Sequence, residues 1–356
     1  MRVIVLAMAA VIQSACVVSV EAADEVFLFS FFKDNGQAGA FLAGSTDGLT
    51  FQELNDGEPI LSPPQWEGQN LTRDPSIIYH DGLFRMVWTT SWRGRCFGAA
   101  VSPDLKHWSE PVQVRPFENW PADDAPGNTW APEVHWDPVQ GDYAILWSSA
   151  TAGVEGDGGH NSAGLESDPD SGIKRDVRHH RTFISRTSDF QHFTDARVFF
   201  APGSSQIDAC MVFDDRGTTS RADDRWAMAV KHEQFEEAGG KNIRIALAPA
   251  DLTEPFPPSF RSPTDPARTW SDPIVGPGSS VQPLEWVEGP TLMKVGDEWW
   301  LYFDRFRAGT DRYGLATSND LIHWTDRTAE VKIPREAHHG TIFRAPLAAV
   351  RALYCP

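Results

Sequence analysis

The hydrophobic pattern of the chain repeats a pair of short strands. In four places an apolar run of strand length leads into a polar turn and then into a second, aromatic-rich apolar run. Strand-length apolar runs separated by turn residues are typical of antiparallel sheets. The pattern therefore predicts four similar β-hairpins, at residues 77–90, 134–149, 211–231 and 292–304.

An acid stands at the start of each hairpin, and a histidine starts a fifth, isolated strand at the C-terminus. A polar residue at the mouth of a buried strand is costly unless it has a partner or a task. We interpret the recurrence as strands whose first residues surround a common centre, and we predict that this ring is an active site. The five stretches are residues 73–77, 132–134, 207–211, 288–292 and 339–343.

A second pattern recurs beside the first. Five times a strand ends in a short turn that contains an aspartate, and in four of them an aromatic residue then restarts a strand, as expected for Asp-containing turns. The intervals exceed the ~40 to 50 residues of a common propeller blade, so we expect insertions in a repeated unit. The five turns are centred on Asp47, Asp104, Asp189, Asp251 and Asp320.

Together the two patterns describe a four-stranded antiparallel unit with a polar residue at the head of its inner strand. Radial repetition of such units forms a β-propeller. The N-terminal strands at 26–32 and 38–45 lack an inner strand, whereas the strand at 339–344 lacks outer partners. The sequence thus predicts an all-β, five-bladed propeller of four-stranded blades, closed by pairing of the N- and C-terminal strands, as one domain over residues 23–356.

Composition limits the partners of this domain. The net charge of −18 argues against a nucleic-acid surface and suits a neutral substrate. Fourteen tryptophans provide both core and carbohydrate-stacking surfaces. We expect Trp88, Trp147 and Trp300, within second strands, to be core residues.

The N-terminus predicts export. Arg2, the apolar residues 3–20 and the small residues around Ala22 form a signal-peptide pattern over residues 1–22. We expect a secreted or periplasmic protein without a membrane span after cleavage. Removal of the signal leaves Cys96, Cys210 and Cys355, which allow at most one disulfide, and we interpret Cys210 as a small buried residue.

The acids at the strand heads suit glycoside hydrolysis. This reaction needs one carboxylic acid to protonate the departing oxygen and one carboxylate to act from the other side of the sugar. Asp74 and Glu288, on different blades, are the natural pair, with Asp208 between them.

The sequence resembles glycoside hydrolase family 43, the five-bladed propeller enzymes that act on arabinofuranosides, xylosides and related sugars. The resemblance covers about residues 71–346. Glu133 and Ala209 depart from it, because the family commonly has aspartate and proline at these positions. The motifs are Asp74-Pro75-Ser76-Ile77, Trp130-Ala131-Pro132-Glu133, Ile207-Asp208-Ala209, Glu288-Gly289-Pro290 and His339-Gly340-Thr341.

The resemblance implies an inverting mechanism with Asp74 as general base, Glu288 as general acid and Asp208 as the residue that orients the acid and raises its pKa. A second carboxylate near Glu288 is expected to keep a proton on it near neutral pH. By the resemblance, His339 lies at the axis near a water or a cation such as calcium, although no cofactor is required.

Rim residues complete the predicted site. We expect Arg73, Trp92 and Trp130 to contact substrate, and Glu133 to bind a sugar hydroxyl or to hold the mouth of its strand. We interpret residues 231–233 as a solvated strand end. Two alternatives stay open: a retaining five-bladed enzyme of fructan-cleaving type, and a carbohydrate-binding propeller without activity.

Overall fold

The computed structural model describes residues 25–121, 126–150, 165–167, 174–176, 180–234, 239–309 and 311–354. The predicted signal peptide and Cys355 lie outside them. The strands are β1 (Glu25–Phe32), β2 (Ala40–Ser45), β3 (Gln52–Glu53), β4 (Arg73–His80), β5 (Leu83–Thr89), β6 (Phe97–Ser102), β7 (Val112–Val114), β8 (Trp130–Asp137), β9 (Asp142–Ala150), β10 (Leu165–Ser167), β11 (Lys174–Asp176), β12 (His180–Thr187), β13 (Arg197–Phe200), β14 (Gln206–Asp214), β15 (Arg225–His232), β16 (Asn242–Pro249), β17 (Glu288–Val295), β18 (Glu298–Asp304), β19 (Tyr313–Ser318), β20 (Thr325–Asp326) and β21 (His338–Pro346). One α-helix, α1 (Leu347–Tyr354), follows β21.

These strands form the five blades of a propeller, as predicted. The blades have the strand orders β21-β1-β2-β3, β4-β5-β6-β7, β8-β9-β12-β13, β14-β15-β16 and β17-β18-β19-β20, and the short strands β10 and β11 pair with each other. The inner strands β21, β4, β8, β14 and β17 contact their neighbours in a closed ring. Their first residues therefore gather around one central channel.

The fourth blade departs from the four-strand plan in the part of the chain that the structure describes. Isolated bridges from Arg261 to Leu247 and from Val275 to Ile243 take the place of an outer strand. The connecting segment contains Pro255, Pro257 and Pro258, and prolines lack the N–H groups that a continuous ladder requires.

Closure of the ring joins the two ends of the domain. β21 pairs antiparallel with β1, with Phe29 opposite Ile342 and Phe27 opposite Arg344. The Ser30 hydroxyl donates to the carbonyl of Thr341 at 3.2 Å. The predicted pairing of terminal strands is confirmed.

The aspartate turns repeat the same hydrogen bonds. In the first turn the Ser45 hydroxyl accepts the N–H of Gly48 at 3.0 Å, and Asp47 Oδ1 accepts the N–H of Thr50 at 2.9 Å. These side chains satisfy backbone groups where the ladder is interrupted. Equivalent turns are formed by Ser102 with Asp104, Thr187 with Asp189, and Ser318 with Asp320.

The core lies between the faces of adjacent blades. One cluster joins Val87 and Phe97 of the second blade to Trp147 and Phe183 of the third. Trp88, Trp147 and Trp300 are buried, as predicted.

Cys96 and Cys210 are buried free thiols. None of the helices in the described part of the chain has the length and hydrophobicity needed to cross a bilayer.

Candidate active site

The inner strands begin with the same backbone irregularity. In four of them two consecutive residues drop out of the ladder with the second strand, and the first of these two residues has a positive φ of 48° to 57°. The interruption therefore falls at an equivalent place in each of the four strands. The residues with positive φ are Asp74, Ala131, Asp208 and Gly289.

Positive φ is unfavourable for residues other than glycine, and it costs on the order of 1 to 3 kcal/mol where the surroundings impose it. Asp74 and Asp208 adopt it at φ values of 48° and 57°. Backbone strain of this kind is concentrated at functional sites. The conformation brings both carboxylates to the axial histidine.

His339 is the meeting point of these carboxylates. Its Nδ1 lies 3.5 Å from Asp74 Oδ1 and 3.9 Å from Asp208 Oδ2. All three side chains are at most about one-tenth exposed. Burial disfavours a charged imidazole, but Asp208, Asp74 and Glu288 outweigh it and raise the pKa of His339. The carboxylates at the centre of the ring therefore favour the protonated form of His339.

Thr89 orients Asp74. Its hydroxyl donates to Asp74 Oδ2 at 2.8 Å and accepts the backbone N–H of Ala131 at 2.8 Å. Because Thr89 is the ladder partner of Arg73, the second strand of the blade directly supports the carboxylate on the first.

Asp208 is linked to the strand that carries Glu288. Its Oδ2 accepts the N–H of Gly289 at 3.1 Å, and its own N–H donates to the Ser148 hydroxyl at 3.1 Å. Burial is the main cause that raises the pKa of Asp208 to about 6. Gly289 is required here, because an added Cβ would lie 2.5 Å from Cδ2 of His339.

Glu288 differs from the prediction in its charge. Its Oε2 accepts from Lys231 Nζ at 2.9 Å, and a quarter of the side-chain surface is exposed. Burial favours the neutral acid, but the charges of Lys231 and His339 outweigh it and lower the pKa of Glu288. The expected rise in the pKa of Glu288 is wrong, because the nearest charge is an ammonium.

Residues 231–233 are not a solvated strand end. The side chains of Lys231 and Glu233 are 2% and 1% exposed, and they pair at 2.8 Å. Lys241 Nζ reaches the other oxygen of Glu233 at 2.9 Å. The earlier interpretation is wrong because the strand end is covered by neighbouring elements and its charges compensate one another.

Asp304 lies on the other side of Glu288, as its ladder partner on β18. Both carboxylate oxygens of Asp304 accept from Arg312, at 3.0 and 2.9 Å. Burial, followed by the charge of Glu288, raises the pKa of Asp304 to about 7. Lys231 and Asp304 therefore act on the acidity of Glu288 in opposite directions. In the sequence, the signal that could have identified Lys231 and Asp304 was their position at the ends of second strands.

Glu133 lies below the ring of Asp74 and Asp208. It is the fourth residue of its inner strand, level with Ser76 and Thr341, whose hydroxyls donate to it at 2.6 and 2.8 Å. Burial raises its pKa to about 7. Glu133 was expected either to bind a sugar hydroxyl or to hold the mouth of its strand, and these contacts favour the second role.

The rim residues form a continuous aromatic wall. Arg73 does not pair with Asp74. Its guanidinium stacks between Phe32 and Trp92, at 4.4 and 4.1 Å from the ring centres, and it donates to Asn35. Trp92 is 48% exposed and meets Trp130 edge to face at 5.9 Å. The wall leaves about half of the Trp92 side chain exposed at the rim.

Comparison with known families decides the class of this site. The family model described as "Probable glycosyl hydrolase domain" matches residues 24–348. The chain belongs to this family. The prediction of a glycoside hydrolase of family-43 type is confirmed.

Solved structures of similar chains come from the same enzyme group. A thermostable family-43 glycoside hydrolase is 18% identical, with a TM-score of 0.46 over 71% of this chain and 70% of that one. A GH43_1 enzyme from Xanthomonas citri, complexed with xylotriose, is 12% identical, with a TM-score of 0.46 over 72% of each chain. A xylan β-1,4-xylosidase from Bacillus halodurans C-125 is 15% identical, with a TM-score of 0.45 over 72% of this chain and 41% of that one. No curated protein matches the sequence.

The possible calcium ion near His339 stays a prediction. Calcium takes six to eight oxygen ligands, and within the described ranges no group of three or more His, Cys, Asp or Glu side chains is arranged to hold a metal.

Glu133→Gln is expected to stabilise the domain at alkaline pH. The pKa of Glu133 rises on folding from 4.5 to about 7, so stability falls as pH increases between these values and stays lower above them. Glutamine removes that cost. The melting temperature of the variant should exceed that of the wild type by about 2 °C or more at pH 8, and the difference should shrink towards pH 5.

Glu118→Gln, at an exposed position, is the control and should show little difference at either pH. A constant difference for Glu133→Gln across the pH range would contradict the burial of an ionisable carboxyl group at this position.

Proposed function

We propose that the protein is an exported, inverting glycoside hydrolase that cleaves arabinofuranosyl, xylosyl or related bonds in poly- or oligosaccharides. The observation that carries the proposal is the arrangement of three acids from three blades at one end of the channel. Asp74 and Asp208 flank the same nitrogen of His339, and Gly289 connects Asp208 to Glu288.

Asp74 is the proposed general base. Thr89 holds one of its oxygens, which leaves the other on the axis to accept a proton from water. Nδ1 of His339 lies 3.5 Å from this second oxygen and helps to hold it in place. The activated water then attacks the anomeric carbon from the side opposite to the leaving group, which inverts the configuration.

Glu288 is the proposed general acid. It donates a proton to the departing glycosidic oxygen and becomes a carboxylate, which Lys231 stabilises at 2.9 Å. A bound sugar displaces water from the exposed quarter of the side chain, and lost hydration favours the neutral acid. Asp304 acts in the same direction. Asp208 positions the acid through Gly289.

Rim contacts support a carbohydrate substrate, and the N-terminus supports export. The Trp92 face, fixed by Arg73 and Trp130, provides a stacking surface for a sugar ring. The sugar class follows the motif resemblance around Asp74 and Glu288. Export follows the basic residue and apolar run at the start of the sequence.

Product stereochemistry tests the mechanism. We expect a panel of arabinosides, xylosides and galactosides to include a substrate, and NMR spectra taken before mutarotation to show the inverted anomer first. Retention would support the fructan-cleaving type of mechanism. Sugar binding without turnover on the whole panel would support the non-catalytic propeller.

A further inference from the structure

A buried ion cluster stands behind Glu288. Lys231 Nζ lies between Glu288 Oε2 at 2.9 Å and Glu233 Oε2 at 2.8 Å, and Lys241 Nζ binds the other oxygen of Glu233 at 2.9 Å. Lys231, Glu233 and Lys241 are at most 2% exposed. Two lysines and two glutamates therefore compensate each other, and all but Glu288 lie away from water.

The cluster fixes the side chain of Glu288 and the backbone before it, and Asp208 fixes the backbone after it. The carbonyl of Lys241 accepts the N–H of Val287 at 3.3 Å, and Asp208 accepts the N–H of Gly289. Lys241 Nζ also donates to the carbonyl of Glu233 at 2.8 Å. The acid is thus held at three points, two of which involve the lysines.

Aromatic rings shield the ammonium groups. The centre of the Phe306 ring is 4.7 Å from Lys231 Nζ, and that of Trp286 is 5.5 Å from Lys241 Nζ. Cation–π contacts of this kind strengthen when water is excluded. The positive charge near Glu288 is consequently fixed in place and weakly screened.

We propose that Lys231 is a positioning residue for the general acid, held by Glu233 and Lys241, and that it makes Glu288 a stronger acid. This inference rests on the proposed function. It adds a residue outside the three acids, whose role is to aim the carboxyl group and to stabilise the carboxylate left after proton transfer.

Several charges besides Lys231 act on Glu288. Asp304 and Asp208 favour its protonated form, and His339 favours its ionised form. The positive charges of Lys241 and Arg312 partly cancel the negative charges of Glu233 and Asp304, which they bind. The groups that face it include Asp208 on β14, Lys231 on β15, Glu233 after β15, Lys241 before β16, Asp304 on β18, Arg312 before β19, Tyr313 on β19, and His338 and His339 on β21.

Replacement of Lys231 tests the role through the pH dependence of catalysis. In Lys231→Met the alkaline limb of kcat/KM, which reports loss of the proton from the acid, should move to higher pH by about one unit or more. At the optimum, kcat should fall about 10- to 100-fold with a smaller change in KM. Lys231→Arg keeps the positive charge, so it should recover most of the wild-type kcat and most of the wild-type pH profile.

Lys294→Met is the matched control. Lys294 also binds a buried aspartate, Asp214, but this pair involves none of the proposed site residues, so the pH profile should be unchanged. A Lys231→Met profile that superimposes on the wild type after scaling would overturn the proposal, because a merely structural lysine lowers activity equally at every pH.

Melting temperatures measured against pH do not depend on turnover. Without the ammonium, Glu288 and Glu233 remain buried together as acids, so Lys231→Met should melt lower than the wild type at pH 7. The gap should narrow towards pH 4 as the acids take up protons. A gap that does not change with pH would overturn the charge role. If the wild type cleaves no glycoside, the proposed function fails while this result still reports on the cluster.

Discussion

Asp74→Asn is expected to lower kcat for glycoside hydrolysis by about 10³-fold or more, with substrate affinity largely retained. Asparagine has nearly the same shape and can still accept the hydrogen bond from Thr89. It also tolerates the φ of 48° at this position. It cannot take a proton from water, and general-base catalysis contributes about 10² to 10⁴ to such rates. Initial rates and an independent binding measurement check both parts.

Asp81→Asn is the control for this experiment. Asp81 lies on the same blade, is exposed and has a φ of 50°, so it undergoes the same change in a similar conformation. Its kcat should match the wild type. Full activity in Asp74→Asn would remove Asp74 from the mechanism, whereas loss of both activity and sugar binding would point to a structural role.

Glu288→Gln should lower kcat by about 10²- to 10⁴-fold on substrates whose leaving group is a sugar. The loss should be much smaller on aryl glycosides with acidic phenols, because these leaving groups depart without a proton. Glutamine can still accept the hydrogen bond from Lys231, so the geometry is retained. The alkaline limb of the pH profile should disappear, since the group that titrates there is gone.

Glu285→Gln, three residues earlier, provides the comparison. Glu285 is only partly buried, and we expect wild-type rates on both substrate types. An equal loss in Glu288→Gln on sugar and aryl leaving groups would contradict the assignment of Glu288 as the proton donor.

The repeated patterns were sufficient to predict the fold. Strand heads and aspartate turns are local signals, since each reflects a backbone group that a nearby side chain must satisfy. They indicated five blades and the pairing of terminal strands, both of which are confirmed. The described residues of the fourth blade lack an outer strand, which was not anticipated, although Pro255, Pro257 and Pro258 were visible in the sequence.

The site was predicted less completely because its chemistry depends on depth and on neighbouring blades. Alignment of Asp74-Pro75-Ser76 with Ala131-Pro132-Glu133 would have placed Glu133 level with Ser76, below the ring. The sequence marked Lys231 as the end of a second strand, but only the packing of adjacent blades shows that it reaches Glu288. The charge on an acid is set by such cross-blade contacts, which sequence periodicity does not report.

The pairing of β21 with β1 has a consequence for biosynthesis. The strand that carries His339 joins residues separated by more than three hundred positions. Contacts between such distant segments form slowly. A ribosome-bound chain that has not yet released β21 lacks the axial histidine. Hydrolytic competence should therefore arise only once β21 has paired with β1, and a product truncated before residue 338 should be inert even with every acid present.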